Sequence, residues 1–144
     1  MFKKILFPTD FSDVSMSALG YVKQLKEGGA KTVVLLHVID QRSLQAIEQY
    51  AGTKSMTLEQ EIMVQAEKEI EKIEDELKQS GFEVKTLIKT GYPIITILEA
   101  EKEEDVSIIV IGSHGKSNLE EMFLGSVSEK VIRKSKRPVL IIKR

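Results

Sequence analysis

Residues 106–115 read VSIIVIGSHG, and after nine more residues the chain continues with Gly125 and Ser126. The first six positions are apolar apart from one serine and lack the alternation of a half-exposed strand, which predicts a parallel strand covered by helices on both faces. The pattern that begins at Ser126 predicts a helix. Where the chain leaves a strand through glycines and enters a helix through Gly-Ser, several main-chain N–H groups come together in one place. This arrangement suits a phosphate.

The rest of the chain alternates short β-rich runs with helical patterns, which predicts βαβ units around a parallel sheet. The helical segments repeat apolar residues every three or four positions, as in the charged stretch 59–79. With right-handed crossovers these units form a doubly wound α/β sheet. Five strands with four intervening helices are predicted, the strands at residues 4–8, 32–38, 84–88, 107–111 and 139–142.

Several residues predict where the helices begin and end. Ser12 is a candidate N-cap for the first helix, the glycines at 28–29 and 81 end the first two helices, and Pro93 begins the third. Residues 40–57 are the least regular part of the chain. A partly helical excursion over residues 43–50 and a mobile loop after it are expected there.

The composition limits the class of protein. With 42% hydrophobic and 30% charged residues, the 144-residue chain is predicted to form one globular domain spanning residues 1–144. A net charge of −1 argues against a nucleic-acid partner, since nucleic-acid phosphates require a basic surface. The absence of cysteine excludes disulfides, thiol catalysis and thiolate metal sites.

The sequence gives no reason to expect a membrane partner. No apolar run approaches the roughly 20 residues that a spanning helix requires. The apolar start of the chain breaks at Pro8-Thr9-Asp10, too early for an export signal. We therefore expect a cytoplasmic location.

Two common phosphate-binding motifs do not fit the glycine turn. The segment Gly115-Lys116-Ser117 resembles the end of a Walker A motif, but Val110 occupies the position where that motif requires its first glycine. The dinucleotide pattern G-x-G-x-x-G also fails, because the second glycine of the turn is three positions after the first.

The spacing Gly-x2-Gly-x9-Gly-Ser, filled here by Gly112, Gly115, Gly125 and Ser126, resembles the signature of the ATP-binding branch of the universal stress protein family. The opening segment 3–12 and the closing segment 137–142 are also similar to family landmarks, so that the resemblance covers nearly the whole chain. It implies a Rossmann-like sheet of the adenine nucleotide alpha hydrolase-like type with strand order 3-2-1-4-5. The first and fourth strands are then neighbours, and a ligand crevice opens at their carboxyl ends.

The resemblance also implies which residues form the site. Residues 125–128 and the glycine turn contact the phosphates and ribose, Asp10 and its neighbours contact the nucleoside, and Val38 lines the adenine, reading its edge through main-chain groups. The implied nucleotide-binding residues are Pro8, Thr9, Asp10, Val38, Gly112, Ser113, His114, Gly115, Gly125, Ser126, Val127 and Ser128.

For most of these residues a purely structural interpretation remains open. Asp10 is also a candidate cap for the first helix, and Ser126 and Ser128 are candidate N-caps of their own helix. A histidine in a turn is more often exposed to solvent than engaged in binding or catalysis, so His114 is expected to be exposed. By contrast, His37 is predicted to be a hydrogen-bonded strand residue.

The expected ligand is ATP, or AMP or ADP, with Mg²⁺ or Mn²⁺ bound through the phosphates. A protein-bound metal is not expected, because no His, Asp and Glu residues have metal-ligand spacing. Near the phosphates, only His114 and Lys116 are candidates for catalysis, and Lys116 is equally well explained as a solvated loop lysine.

Three functions are compatible with these residues. The first is a nucleotide-dependent switch or sensor in the stress response, acting on an unidentified protein partner. The second is a slow ATP hydrolase, and the third is an interaction protein with a vestigial site, against which the intact glycine motif argues.

The apolar last strand, Val139–Ile142, predicts an exposed sheet edge. Similar proteins pair this strand with its twin, which implies a homodimer, whereas a monomer would shield the edge with its own tail.

Overall fold

The computed structural model describes residues 1–51, 56–114 and 125–143. Helices and strands follow one another in these ranges with the order expected of βαβ units. The elements are β1 (Lys4–Pro8), α1 (Asp13–Leu25), β2 (Thr32–Asp40), α2 (Gln41–Ala51), α3 (Met56–Gln79), β3 (Glu83–Gly91), α4 (Pro93–Glu103), β4 (Ile108–Gly112), α5 (Ser126–Lys134) and β5 (Val139–Ile142).

The five strands form one parallel sheet in the order β3-β2-β1-β4-β5, which confirms the predicted doubly wound topology. Successive residues of a strand point to opposite faces of the sheet. In β1, Ile5 and Phe7 pack in the core formed with α1 and α3, whereas Leu6 packs in the core formed with α4 and α5. Both faces of the central strand are therefore buried, which explains its unbroken apolar run.

The predicted helix boundaries are confirmed where local chemistry sets them. The Ser12 hydroxyl accepts a hydrogen bond from the Ser15 main-chain N–H at 3.2 Å and caps α1. Gly29 and Gly81 follow the ends of α1 and α3, with φ angles of +104° and +95°. Residues that carry a side chain rarely adopt such angles, so glycine is favoured at both helix ends. Pro93 is the first residue of α4.

The main departure from the sequence-based prediction is α2, a fifth helix among the described residues, where only a partial helix over residues 43–50 was expected. Asp40 ends β2 and its Oδ1 accepts the main-chain N–H of Arg42 at 2.9 Å, so that the helix begins directly after the strand. Leu44 anchors α2 in a small core with Ile39 and Ala66. The loop predicted after this helix lies at residues 52–55, outside the described residues.

Candidate functional site

A cleft of about 510 Å³ lies at the carboxyl ends of β1, β2 and β4, where the connections after β1 and β4 diverge. Ligands of open α/β sheets bind at such a point. The volume falls within the range of roughly 300–1,000 Å³ that is typical of small-molecule sites.

The cleft brings together most of the predicted site residues from four separate segments of the chain. Ser113 does not line the cleft and is almost completely buried, and Gly115 lies outside the described residues. The ten that line it are Pro8, Thr9, Asp10, Val38, Gly112, His114, Gly125, Ser126, Val127 and Ser128.

Eight further residues line the cleft and were not predicted. They are Ser15, Leu36, Asp40, Arg42, Ser43, Pro93, Ile97 and Ile111. One sequence signal was available for Asp40, because it lies two residues after the predicted strand 32–38, as Asp10 lies two residues after the predicted strand 4–8. The contributions of α2 and α4 had no local signal, since they depend on how these helices pack against the sheet.

Hydrogen bonds to a hydroxyl and to the Asp10 carboxylate fix the β1–α1 turn. Asp10 Oδ1 accepts the Ser12 N–H at 3.0 Å, while Ser12 itself caps α1. Asp10 is therefore a turn residue and not the helix cap. Its Oδ2 accepts no hydrogen bond from the described residues. Thr9 Oγ1 accepts from Phe11 N–H at 3.1 Å and from the Ser15 hydroxyl at 2.6 Å, which fixes the turn against α1.

An aromatic contact between this turn and the neighbouring strand β2 also supports the turn. Phe11 has a φ of +65°, a conformation that L residues rarely adopt, and its ring stacks on His37 with 4.4 Å between centroids. His37 Nδ1 donates to the Thr9 carbonyl oxygen at 2.7 Å, which confirms the prediction of a hydrogen-bonded strand histidine. Since a carbonyl oxygen only accepts, the proton of this bond is on Nδ1.

The N-terminus of α5 presents unpaired main-chain donors. Gly125 is the N-cap and, having no side chain, makes no capping hydrogen bond. The N–H groups of Ser126, Val127 and Ser128 belong to the first turn and have no partner within the helix or among the other described residues. All three residues line the cleft, so this edge favours negative charge.

The Ser128 hydroxyl serves the loop instead of standing free in the cleft. It lies 2.8 Å from the Ser113 carbonyl oxygen and 3.0 Å from the Gly125 carbonyl oxygen. The same Ser113 oxygen also accepts the Gly125 N–H at 2.7 Å. Two hydrogen bonds thus tie the end of β4 to the start of α5.

The side-chain space at the two described glycines of the signature is already occupied by protein. A Cβ on Gly112 would lie 2.8 Å from Val14 Cγ1, so the absence of a side chain lets α1 approach the end of β4. A Cβ on Gly125 would lie 3.2 Å from the Ser113 carbonyl oxygen. Contacts between protein segments therefore favour glycine strongly at position 112 and more weakly at position 125, before any ligand is considered.

His114 is buried, with 8% of its surface exposed, so the expectation of an exposed turn histidine is wrong. Its Nδ1 lies 2.7 Å from the Ser113 hydroxyl oxygen. Its Nε2 is buried without a hydrogen-bond partner among the described residues. Because unpaired buried polar atoms are rare and costly, this nitrogen is a candidate hydrogen-bonding group for a ligand of the cleft.

A charged pair stands at the opposite margin of the cleft, where β2 passes into α2. Arg42 Nε and Nη2 donate to the two carboxylate oxygens of Asp40 at 3.2 and 3.0 Å. The side-chain hydrogen bonds from Arg42 lower the pKa of Asp40 in spite of its partial burial. The guanidinium is largely exposed, and its charge is balanced by Asp40.

Two observations limit other site types. No three His, Asp or Glu residues within the described ranges are grouped so that they could hold a metal ion. No helix in the part of the chain that the structure describes is both long and apolar enough to cross a membrane.

The model of the universal stress protein family matches residues 1–143. The chain belongs to the universal stress protein family. This universal stress protein is 44% identical to universal stress protein MJ0577 of Methanocaldococcus jannaschii, in an alignment that covers 100% of the chain and 96% of the relative. The solved structure of MJ0577 matches it with a TM-score of 0.88 at 45% identity and covers 100% of this chain and 97% of its own.

Two more distant solved structures share the fold of this universal stress protein. A universal stress protein from Archaeoglobus fulgidus in complex with dAMP has a TM-score of 0.68 at 20% identity, covering 99% of this chain and 98% of its own. A universal stress protein in complex with cAMP has a TM-score of 0.64 at 23% identity, covering 99% and 97%.

Proposed function

We propose that residues 1–144 act as one domain that binds an adenine nucleotide, ATP above all, in the cleft between β1 and β4. The bound nucleotide serves as a switch or sensor in the stress response and changes the shape or partner affinity of a cytoplasmic homodimer. The liganded family members with dAMP and cAMP support an adenine nucleotide as the ligand class.

One observation carries the proposal: the unpaired donors at the α5 edge of the cleft. Three main-chain N–H groups, from Ser126, Val127 and Ser128, and the unpartnered Nε2 of His114 belong to residues that line the same cleft. Oxyanions are the ligands that a helix N-terminus prefers, because its N–H groups and dipole both favour negative charge. We therefore place the phosphates of the nucleotide at this end.

The other end of the cleft suits a purine. The partly exposed Val38 lines the cleft together with the buried Leu36 and Ile97, all three of them apolar. The Leu36 carbonyl oxygen accepts the Thr9 N–H, so the main-chain groups of Leu36, and of Val38 two residues on, point toward β1. The pairing with β1 ends at Leu36, which leaves the Val38 N–H and C=O beyond the ladder and available to a base edge.

The chemistry of the donor set also bears on the metal. The described lining residues offer two carboxylates, Asp10 and Asp40, and Asp40 is paired with Arg42. This is too few for a protein cage, but it is compatible with Mg²⁺ or Mn²⁺ carried on the phosphates, where Mg²⁺ keeps several of its waters. The ion would neutralise phosphate charge in the cleft.

Calorimetric titration with a series of ligands tests the proposal. We expect saturable binding of ATP-Mg at one site per chain, with affinity falling from ATP to AMP and dropping at least about tenfold for adenosine, which lacks the phosphates. No saturation at millimolar ATP-Mg would contradict it. Phosphate release well above background that is lost in His114→Ala would instead favour the slow hydrolase.

The proposed homodimer forms through β5, which is an edge strand of the described sheet. The Pro138 carbonyl oxygen accepts a hydrogen bond from β4, and the Ile142 carbonyl oxygen accepts one from the residue that follows β4. The main-chain N–H and C=O groups of successive β5 residues therefore point alternately toward β4 and away from it. Those of Ile141 point away from β4, toward the open edge. A second copy of this strand related by a two-fold axis would satisfy them.

Ile141→Pro is expected to convert the dimer to a monomer, because proline removes an outward N–H without breaking the hydrogen bonds to β4. Ile141→Ala is the matched control, since it loses the same side chain and keeps the N–H. Light scattering at micromolar concentration should give a monomer mass for the first variant and a dimer mass for the second. A monomer mass for the unaltered protein would refute the dimer.

A further inference from the structure

Ser113 and His114 form a buried side-chain pair beside the cleft. Ser113 Oγ lies 2.7 Å from His114 Nδ1, and the two residues are only 1% and 8% exposed. Only His114 lines the cleft. The Ser113 hydroxyl is therefore separated from any ligand there, and its one side-chain partner among the described residues is the imidazole.

The position of the proton in this pair follows from counting donors and acceptors. If Nδ1–H donated to the hydroxyl oxygen, the hydroxyl proton would need another acceptor, and none of the described residues provides one. Nε2 would then also carry a lone pair that no donor meets. If the hydroxyl donates to Nδ1, a single group, the Nε2–H, remains without a partner. The second arrangement leaves fewer buried groups unsatisfied and is the more stable one.

We propose that Ser113 is a positioning residue: its hydroxyl donates to Nδ1 of His114 and keeps the proton of the neutral imidazole on Nε2, which donates to a phosphate oxygen of the bound nucleotide. The inference rests on the proposed function and deepens it. The ligand atom that meets His114 must be an acceptor, and a nucleoside without phosphate lacks that atom at the α5 end.

The main chain of Ser113 makes a clean separation of roles possible. Its carbonyl oxygen holds Gly125 and Ser128, and its N–H donates to the Ile142 carbonyl oxygen at 2.8 Å. Ser113→Ala removes only the hydroxyl and leaves these main-chain bonds in place. A loss of nucleotide affinity in this variant therefore reports on the imidazole and not on the loop.

The tautomer can be read by NMR on protein labelled with ¹⁵N in its histidines. The chain has only two, and His37 serves as an internal reference because its Nδ1 donates to the Thr9 carbonyl. In the ligand-free protein we expect opposite tautomers, Nδ1–H for His37 and Nε2–H for His114. ATP-Mg should then shift the Nε2 resonance of His114, whereas adenosine should leave it in place.

Affinity measurements complete the test. Ser113→Ala should weaken ATP binding about three- to tenfold, the usual size of one lost supporting hydrogen bond, and Ser113→Thr should restore it in part. In a His114→Phe background, Ser113→Ala should have no further effect.

An Nδ1-protonated His114 in the free protein would overturn the inference whether or not ATP binds. Saturation with ATP-Mg without a change at Nε2, or an equal loss of affinity from Ser113→Ala in both backgrounds, would also overturn it. Absence of ATP binding in calorimetry would instead be a failure of the proposed function, which is measured independently of the tautomer.

Discussion

Replacing Gly125 with valine is expected to lower the affinity for ATP by about a hundredfold or more. A Cβ at this position lies 3.2 Å from the Ser113 carbonyl oxygen and 3.4 Å from His114 Cα, and valine adds two methyl groups to it. The start of α5 must then move away from the end of β4, which breaks the 2.7 Å hydrogen bond from Gly125 N–H to Ser113. The three N–H groups assigned to the phosphates move with it.

Calorimetry of Gly125→Val, with thermal unfolding to establish that the chain is folded, measures this effect. Gly20→Val is the matched control, because a Cβ added at Gly20 meets no atom within 4 Å. Gly20 lies on α1, and its replacement should leave ATP affinity unchanged. A folded Gly125→Val protein with the affinity of the unaltered chain would show that the position of α5 does not matter for binding.

Gly112→Ala is expected to destabilise the fold by about 1–3 kcal/mol, the usual cost of overpacking a core. The added methyl would lie 2.8 Å from Val14 Cγ1 and 3.3 Å from the Ser15 main-chain nitrogen, so α1 must shift from the end of β4. Urea unfolding measures the loss. The control Gly20→Ala should be neutral or stabilising, because alanine favours a helix more than glycine does.

A second substitution tests whether the collision with Val14 causes this loss of stability. Val14→Ala removes the methyl group that collides with the new Cβ, at the cost of a cavity in its own right. The double variant should therefore be less destabilised than the sum of the two single variants. Strict additivity would mean that the contact with Val14 is not the reason for glycine at position 112.

The succession of strands and helices could be predicted from the sequence because each strand or helix carries its own pattern, whereas the strand order 3-2-1-4-5 and the location of the site followed from the resemblance to the universal stress protein family. The run 106–111, apolar apart from one serine, predicts a strand covered on both faces, and β4 is buried on both faces. Once β1 and β4 are neighbours, Asp10 and Gly112 come to one crevice by topology alone. No side-chain contact needs to be known for that step.

The details that the sequence did not predict depend on contacts between distant segments. Arg42 lines the cleft only because α2 begins directly after β2, and His114 is buried although its turn position favoured exposure. From the sequence, the glycine signature predicts a turn that presents main-chain N–H groups to a phosphate. At Gly112 the neighbour is instead Val14, which lies almost one hundred residues earlier in the chain.

The placement of the phosphates on α5 can be tested by following the main-chain amide resonances of ¹⁵N-labelled protein during titration with ATP-Mg. The amides of Ser126, Val127 and Ser128 should show the largest shifts, with smaller ones for AMP, and the Val38 amide should respond to both nucleotides because it meets the base. Saturable binding that leaves the three α5 amides unmoved and shifts a different surface would contradict the account.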